Sequence, residues 1–332
     1  MSKQCIGCGI SLQDNNTLLE GYTSSLENDI CSRCFRLINY GDYQVVTKSN
    51  DDYLEILKKV GESNDLVLYI VDILNLPKDL MAIKKLINNR MILVLNKRDA
   101  LPKSINDDKL IERIKSWGVD YQDIIITSAH NNYNLDELMK LIKKEKSSRN
   151  VYVVGNTNVG KSALIDKMIK NYSDLKSSLT ISPFPSTTID KISIKLNDDL
   201  TLIDTPGLIE DGNISNYLEL KEIKKLIPKK EIKAKTYQLK EGQSLVIGDF
   251  LRIDYREGEK NSFTLFLSND IKVKRHNIKN KKLLDLAKRS ISVDYYEDLV
   301  ISGLGFIKIV KKGELDIYSN INVKLYTRSS LI

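Results

Sequence analysis

The stretch 155–162, GNTNVGKS, restricts the fold of this chain more than any other. It follows an apolar run and precedes an amphipathic one, and the pattern Gly-x4-Gly-Lys-Ser between a strand and a helix is typical of a phosphate-binding loop. The glycines let consecutive backbone N–H groups turn towards phosphate oxygens, and the helix N-terminus adds positive potential. Lys161 would reach the β- and γ-phosphates, and Ser162 would bind Mg²⁺. The predicted phosphate-binding residues are Gly155, Asn156, Thr157, Asn158, Val159, Gly160, Lys161 and Ser162.

The pattern around this loop predicts an α/β fold. Short β-branched runs alternate with amphipathic stretches, as expected for a mostly parallel six-stranded sheet covered on both faces. The predicted strands are 66–72, 91–96, 124–127, 151–154, 192–196 and 200–204, and the predicted helices are 78–88, 107–116, 134–147 and 162–171. In such sheets ligands bind at the carboxyl ends of the strands, where the functional motifs of this chain begin.

Two motifs complete the phosphate side of the predicted site. The tetrapeptide DTPG ends the strand 200–204, so Asp204 would hold Mg²⁺ through water and the N–H of Gly207 would sense the γ-phosphate. In the upstream segment PFPSTTID a threonine would close its hydroxyl on the metal, with Thr188 as the first choice and Thr187 as the second. Each tetrapeptide alone is consistent with a simple turn, but the spacing of DTPG from the phosphate loop favours a nucleotide site.

The segment NKRD predicts which base is bound. Asp99 can accept two hydrogen bonds from the ring N–H and exocyclic amine of guanine, whereas adenine presents no such pair of donors on that edge. Asn96 would brace the loop, and Lys97 would lay its aliphatic stem over the base. The segment TSAH adds Ser128 and Ala129, whose backbone N–H would meet the guanine carbonyl. GTP is therefore the predicted nucleotide.

These motifs stand in an unusual order along the chain. NKRD and TSAH precede the phosphate loop, the threonine pair and DTPG, whereas an ordinary guanine-nucleotide domain begins with the phosphate loop. The cyclic order is kept, and the cut lies between DTPG and the strand that leads to NKRD. Circular permutation requires only that the old chain ends lie close together. The sequence therefore predicts a circularly permuted GTPase domain.

All four cysteines fall near the N-terminus in two Cys-x-x-Cys pairs. Cys5, Cys8, Cys31 and Cys34 can present four thiolates to one Zn²⁺, and so short a segment needs such a metal because it cannot bury a large core. With four sulfur ligands no position is open for catalysis, so the predicted site is structural. Two disulfides and a redox-active pair are the alternatives; a reducing cytosol disfavours the first, and a redox motif expects one pair in a strand–helix setting.

The last third of the chain is basic. From residue 229 onward, about 21 Lys and Arg residues stand against about 13 Asp and Glu residues, in a chain whose net charge is +7. Alternating runs predict strands at 236–239, 244–255, 263–268, 299–310 and 314–326, and a helix is predicted at 281–290. The basic run 272–282 predicts salt-dependent contacts with an RNA backbone, and a generic solvated surface is the alternative.

Length and composition allow three domains in 332 residues. The predicted boundaries are 1–45 for a zinc-finger domain, 46–228 for the GTPase domain and 229–332 for a basic β-rich RNA-binding domain. No apolar run approaches the roughly 18 residues of a membrane span, and the N-terminus has no apolar stretch typical of a secretory signal. We expect a cytoplasmic protein.

On these residues the chain resembles the circularly permuted GTPases. The cysteine pairs ahead of NKRD, the motif GNTNVGKS and the segment ISGLGFIKI are similar to the members that assist assembly of the small ribosomal subunit. The resemblance implies a GTPase that binds this subunit and its rRNA. A GTP-gated RNA- or protein-binding module without a ribosomal role is the alternative. The chain departs from the family at Ser186, where glycine is usual, which concerns the path of the switch loop.

The resemblance also implies how hydrolysis proceeds. Leu208 follows the glycine of DTPG, where a glutamine often orients the attacking water. In similar GTPases the residue at the position of Asn158 helps to coordinate K⁺, which would supply the positive charge that an arginine finger gives elsewhere; loop bracing is its alternative role. The predicted catalytic residues are Lys161, Thr188, Gly207 and Asn158. The expected cofactors are GTP or GDP, Mg²⁺, Zn²⁺ and K⁺, and hydrolysis is expected to be slow without the RNA partner.

Overall fold

The computed structural model describes residues 3–5, 11–15, 21–23, 25–29, 31, 50–173, 192–208 and 210–332. These residues form two compact units. The first unit comprises the described parts of Met1–Asp72, Met81–Asn96 and Asp120–Ile209, and the second comprises Ile73–Leu80, Lys97–Val119 and Glu210–Ile332. The second unit therefore contains two short segments from the first half of the chain.

The first unit is built on a six-stranded sheet. Its strands are β1 Leu66–Asp72, β2 Met91–Asn96, β3 Asp123–Ile126, β4 Asn150–Val154, β5 Ile192–Asn197 and β6 Leu200–Asp204. The strand order is β3-β2-β1-β4-β6-β5, and every pairing is parallel except that of β5 with β6. The prediction of a mostly parallel six-stranded sheet is confirmed. Every residue of β1 and β2 is buried, because a central parallel strand is covered on both faces.

Three of the four helices predicted around the parallel sheet are confirmed, those at 107–116, 134–147 and 162–171. The described α-helices are α1 Asn50–Gly61, α2 Asp107–Lys115, α3 Leu135–Glu145, α4 Lys161–Tyr172 and α5 Leu220–Leu226, and α2 and α5 belong to the second unit. The helix predicted at 78–88 is wrong, because this segment forms consecutive turns. Lys85 and Ile87 donate hydrogen bonds to carbonyls four residues back, but Leu86 donates to a carbonyl three residues back. The pattern still indicated which residues are buried, since Ile83 and Ile87 face the core.

The second unit contains two antiparallel five-stranded sheets that share one core. The strands are β7 Lys235–Leu239, β8 Gln243–Ile247, β9 Leu251–Glu257, β10 Asn261–Leu267, β11 Val273–Asn277, β12 Ala287–Val293, β13 Glu297–Ile301, β14 Gly305–Ile309, β15 Gly313–Ser319 and β16 Leu325–Ser329. One sheet has the order β16-β13-β14-β10-β7 and the other β11-β8-β9-β15-β12. Leu245 and Ile253 of one sheet and Phe263 and Ile307 of the other belong to the same buried cluster.

Four predictions for this unit need correction. The predicted strands 299–310 and 314–326 each divide into two strands, β13 and β14 in the first case and β15 and β16 in the second. The predicted strand 244–255 is a hairpin of β8 and β9, whose turn contains Gly248 at φ +58°. The helix predicted at 281–290 is wrong, because Ala287–Val293 is a strand that pairs with β15 over its whole length. Leu283 has a left-handed backbone with φ +60°, which an α-helix does not accommodate.

The two early segments of the second unit are tied to its strands. The hydroxyl of Tyr326 on β16 donates to the carbonyl of Leu76, and the backbone N–H of Gly303 donates to Oδ1 of Asn75 at 3.1 Å. The guanidinium of Arg328 lies 5.6 Å from the ring centroid of Trp117. Among the described helices, none is both long and apolar enough to span a bilayer.

Candidate nucleotide-binding site

The predicted phosphate loop joins the end of β4 to the start of α4. Asn158 and Gly160 both have left-handed backbones, with φ +62° and +93°, and Gly160 is the residue before the first turn of α4. The α-carbon of Gly155 approaches the backbone carbonyl of Ile70 on β1 so closely that a β-carbon would overlap it. The two glycines thus allow the loop to turn back over the strand ends.

Lys161 is held inside this loop. Its side chain is only 5% exposed, and its ammonium donates to the carbonyl oxygens of Gly155 at 2.7 Å and Asn156 at 2.9 Å. Burial lowers the pKa of Lys161 to about 8, although the nearby carboxylate of Asp204 acts in the opposite direction. A positive charge is therefore held at the phosphate loop at some energetic cost, which an anionic ligand would offset.

The DTPG segment lies directly against the phosphate loop. Asp204 ends β6 and pairs in register with Val153 of β4, and the backbone N–H of Thr157 donates to the carbonyl of Leu208 at 2.9 Å. A β-carbon on Gly207 would lie 2.9 Å from Nζ of Lys161 and 3.0 Å from the backbone N of Thr157. A side chain here would force Lys161 or Thr157 to shift, so glycine keeps the DTPG segment close to the lysine that would contact the terminal phosphate.

The donors around this loop fit a magnesium ion. Ser162 lies in the first turn of α4, and the carboxylate of Asp204 is buried at the end of the neighbouring strand β6. A hydroxyl and a carboxylate are oxygen ligands of the kind that Mg²⁺ prefers, together with water and phosphate oxygens. Thr188 and Thr187, predicted to complete the set, and Ser186 lie outside the described residues.

Asn96 connects the base motif to the phosphate loop. Its buried side chain donates from Nδ2 to the carbonyl of Val159 at 3.0 Å. Its Oδ1 lies 3.4 Å from both Oγ1 of Thr127 and the backbone N of Ala129. The latter contacts are long for hydrogen bonds, so the N–H of Ala129 can turn to a guanine carbonyl at little cost. Ser128, the other predicted residue of this loop, is buried beside it.

The rest of NKRD belongs to the second unit. Lys97 has a left-handed backbone with φ +70°, and Asp99 lies in the 3₁₀ turn Arg98–Ala100. Arg98 pairs with the carboxylate of Asp107 and donates to the carbonyl oxygens of Leu101, Pro102 and Ile105. This internal bracing fixes the shape of the turn that carries Asp99.

Two contributions to the site were not predicted from the sequence. Arg98 occupies the variable position of NKRD, where no motif assigns it a role, and only the structure shows that it braces the loop. Leu208 was interpreted as a missing glutamine, but its backbone carbonyl accepts from Thr157 and its N–H lies 3.4 Å from the carbonyl of Gly155. A backbone contact leaves no signal in residue identity.

The predicted zinc site lies partly outside the described residues. Cys5 and Cys31 are both buried, and the backbone N–H of Cys31 donates to Sγ of Cys5 at 3.2 Å. Such a bond stabilises a thiolate, which suits a metal ligand. Cys8 and Cys34 are not described, and the described residues contain no cluster of three candidate metal ligands.

The fold and these motifs define a P-loop GTPase. A family described as a 50S ribosome-binding GTPase matches residues 150–247. The protein YqeH of Bacillus subtilis is 35% identical over 99% of both chains, so the chain belongs to the YqeH family of GTP-hydrolysing enzymes. Nitric oxide-associated protein 1 of Mus musculus is 23% identical over 81% of this chain and 62% of its own length. GTPase Der of Mycoplasma mycoides is 24% identical over 57% of this chain and 45% of its own length.

GTP binding should take up a proton at alkaline pH. The unliganded protein loses the proton of Lys161 as the pH rises through about 8, whereas bound phosphates favour the ammonium and raise its pKa. At about pH 9 a non-hydrolysable GTP analogue should bind with uptake of a large fraction of one proton, and at about pH 6.5 with almost none from this group. Calorimetry in two buffers with different ionisation enthalpies measures the difference.

The variant Lys161→Arg is the matched control, because its guanidinium stays charged throughout this range. It should lack the proton uptake that the parent protein shows from Lys161 at about pH 9. Equal uptake by the parent protein and Lys161→Arg at about pH 9 would contradict a lowered pKa for Lys161.

Proposed function

We propose that this GTPase assists assembly of the small ribosomal subunit by binding rRNA in a nucleotide-dependent way. The observation that carries the proposal is the presence of a GTPase site and a basic two-sheet unit in one chain. The description of the matched family names the 50S subunit, so it supports ribosome binding but not the choice of the small subunit. The choice of the small subunit rests on the resemblance of the motifs to GTPases of small-subunit assembly.

The second unit offers a surface of suitable chemistry. We call it the basic flank and define it as Lys233, Lys235, Lys240, Lys272, Lys274 and Arg275, all of which are exposed. It follows the edge strands β7 and β11, which lie side by side: the guanidinium of Arg275 donates to the carbonyl of Gln238 at 3.3 Å. Within the described part of the chain, no carboxylate lies within ion-pair distance of these six cations. Their charge is therefore available to phosphates.

A circular permutation explains how the chain makes this domain. The matched family begins at residue 150, just before the phosphate loop, so NKRD lies upstream of the match. In the sheet, β1 nevertheless lies between β2 and β4, and Asn96 at the end of β2 contacts the phosphate loop. A GTPase domain whose motifs keep their cyclic order, but whose chain begins at a different point, accounts for both facts.

We also propose the boundaries 1–45, 46–228 and 229–332 for the zinc-finger, GTPase and RNA-binding domains.

The residues at the site have separate roles in the proposed reaction. Lys161 would offset charge on the β- and γ-phosphates, and the N–H of Gly207 would register the terminal phosphate. Mg²⁺, held by Ser162 and Asp204, supplies further charge neutralisation when bound. The side chain of Leu208 cannot orient water, so we propose slow intrinsic hydrolysis. The short tether after Leu208 would then carry the nucleotide state to the second unit.

The nucleotide state should control association with ribosomal subunits. In sucrose-gradient sedimentation we expect the protein to sediment with small subunits in the presence of a non-hydrolysable GTP analogue and much less with GDP. The double variant Lys274→Gln/Arg275→Gln should weaken association and reduce the dependence of RNA affinity on salt, by about two units of log–log slope. The control Lys311→Gln/Lys312→Gln removes the same charge from cations that pair with Glu259 and Asp294, and should have little effect.

Association with large subunits only would contradict the small-subunit proposal. Nucleotide-dependent binding of RNA or protein without any subunit would favour the alternative, a GTP-gated module in which hydrolysis is incidental. Equal RNA affinity in the GTP and GDP forms would contradict nucleotide control.

We propose that the four cysteines hold one structural zinc ion. The buried thiols of Cys5 and Cys31 and the N–H···S bond between their residues support the proposal. Elemental analysis of the purified chain should find about one zinc per protein, and Cys5→Ser or Cys31→Ser should remove most of it. Ser25→Ala, in the same segment, is the control and should keep the metal. Absence of zinc, with four freely titrating thiols, would instead favour the redox interpretation.

We propose that K⁺ assists hydrolysis at Asn158. This residue is exposed and has a left-handed backbone, so its side chain can meet a cation that arrives with the nucleotide. GTP turnover should be several-fold faster in KCl than in NaCl, and Asn158→Ala should remove the difference. Asn171→Ala, at the far end of α4, should keep it. Equal turnover of the parent protein in the two salts would leave Asn158 with a loop-bracing role only.

A further inference from the structure

The turn that carries Asp99 is held from outside by a segment more than 100 residues later in the chain. The backbone N–H of Ile232 donates to the carbonyl of Ala100 at 2.9 Å, and Ala100 is the residue directly after Asp99. A carboxylate oxygen of Glu231 accepts from the backbone N–H of Lys103 at 2.8 Å. Ile232 is buried, as is Ala100. Two consecutive residues therefore hold both ends of the short segment 100–103.

The holding segment is itself fixed to the sandwich. The side chain of Asn269, in the loop between β10 and β11, donates to the carbonyl of Glu231 and accepts from the N–H of Lys233, both at 2.9 Å. One amide thus binds the backbone on either side of Ile232. We call this arrangement of Glu231, Ile232 and Asn269 the turn clamp. It joins the core of the second unit to the 3₁₀ turn through directional hydrogen bonds.

We propose that the turn clamp positions Asp99 for guanine recognition. Asp99 discriminates guanine only if both of its carboxylate oxygens meet two donors on the base, and this needs a fixed turn. Arg98 braces the turn from within, and the turn clamp fixes its far side. Glu231 and Asn269 are positioning residues, because they act through the backbone of residues 100–103 and not on the nucleotide. The proposal rests on the proposed role of Asp99.

The proposal implies a link between base recognition and the basic flank. Lys233 belongs to that flank, and its backbone N–H donates to Oδ1 of Asn269. A ligand that binds the basic flank and shifts Lys233 would move the turn that carries Asp99. By linkage, a bound guanine base would then change the affinity of the basic flank for that ligand. This coupling through Asn269 is separate from the proposed coupling through the tether that follows Leu208.

The test compares GDP, IDP and inorganic pyrophosphate as ligands of the full-length protein. Hypoxanthine lacks the exocyclic amine, so the ratio of GDP to IDP affinity reports the second hydrogen bond to Asp99, and pyrophosphate reports the phosphate loop alone. We expect Asn269→Ala and Glu231→Ala to reduce the GDP/IDP ratio about three- to tenfold, the effect of roughly one hydrogen bond. Pyrophosphate affinity should not change.

Two controls separate positioning from general destabilisation. Glu231→Gln keeps an acceptor for the N–H of Lys103 and should keep the parental ratio. Asn322→Ala removes an exposed asparagine from the turn before β16 and should also have no effect. Thermal unfolding of each variant confirms that it is folded.

An unchanged GDP/IDP ratio in folded Asn269→Ala and Glu231→Ala would overturn the proposal, as would a parallel loss of pyrophosphate affinity. If the parent protein itself binds GDP and IDP equally, the role of Asp99 fails, and the turn clamp fails with it. These outcomes are distinguishable, because the second is visible before any substitution is made.

Discussion

The buried side-chain amide of Asn96 is the interaction on which the site depends. It joins the end of β2, the loop after β3 and the phosphate loop, and its partner Val159 is 63 residues away along the chain. A buried amide that loses its partners costs about 1–3 kcal/mol, so the arrangement is maintained wherever the sheet is formed. Asn96, the first residue of NKRD, is therefore fixed to the phosphate loop, although it precedes that loop along the chain.

Close backbone packing around the phosphate loop also determines the electrostatics of the site. Gly155 allows the phosphate loop to approach β1, and Gly207 allows DTPG to approach Lys161. The consequence is a lysine buried among carbonyl oxygens, with a lowered pKa. A bound triphosphate would place negative charge next to this buried ammonium and offset the cost of its burial. Nucleotide binding and charge compensation would therefore occur together. Catalysis of this kind relies on positioning and electrostatics more than on a reactive side chain, which is consistent with a leucine after the DTPG glycine.

The sequence predicted the parts of the fold that local patterns specify. The central strands were found because buried parallel strands are continuous apolar runs, and the motifs were found because phosphate binding restricts residue identity. The helix at 281–290 was predicted wrongly because Ala287–Val293 becomes a strand only through its pairing with Gly313–Ser319, which comes later in the chain. The turns at 80–86 were predicted as a helix because Ile83 and Ile87 are both buried. Their spacing of four residues is the same in consecutive turns as in an α-helix. The contacts of Leu208, Glu231 and Ile232 involve the backbone, so residue type could not reveal them.

The central claim is that NKRD and a phosphate loop that follows it in the chain bind one nucleotide. Equilibrium binding of GDP and XDP to the parent protein and to Asp99→Asn tests it most directly, because xanthine presents a carbonyl where guanine has its exocyclic amine. The claim predicts that the parent protein prefers GDP and that Asp99→Asn prefers XDP, by about tenfold or more in each case, with pyrophosphate affinity unchanged. Identical preference for GDP in the two proteins would contradict it.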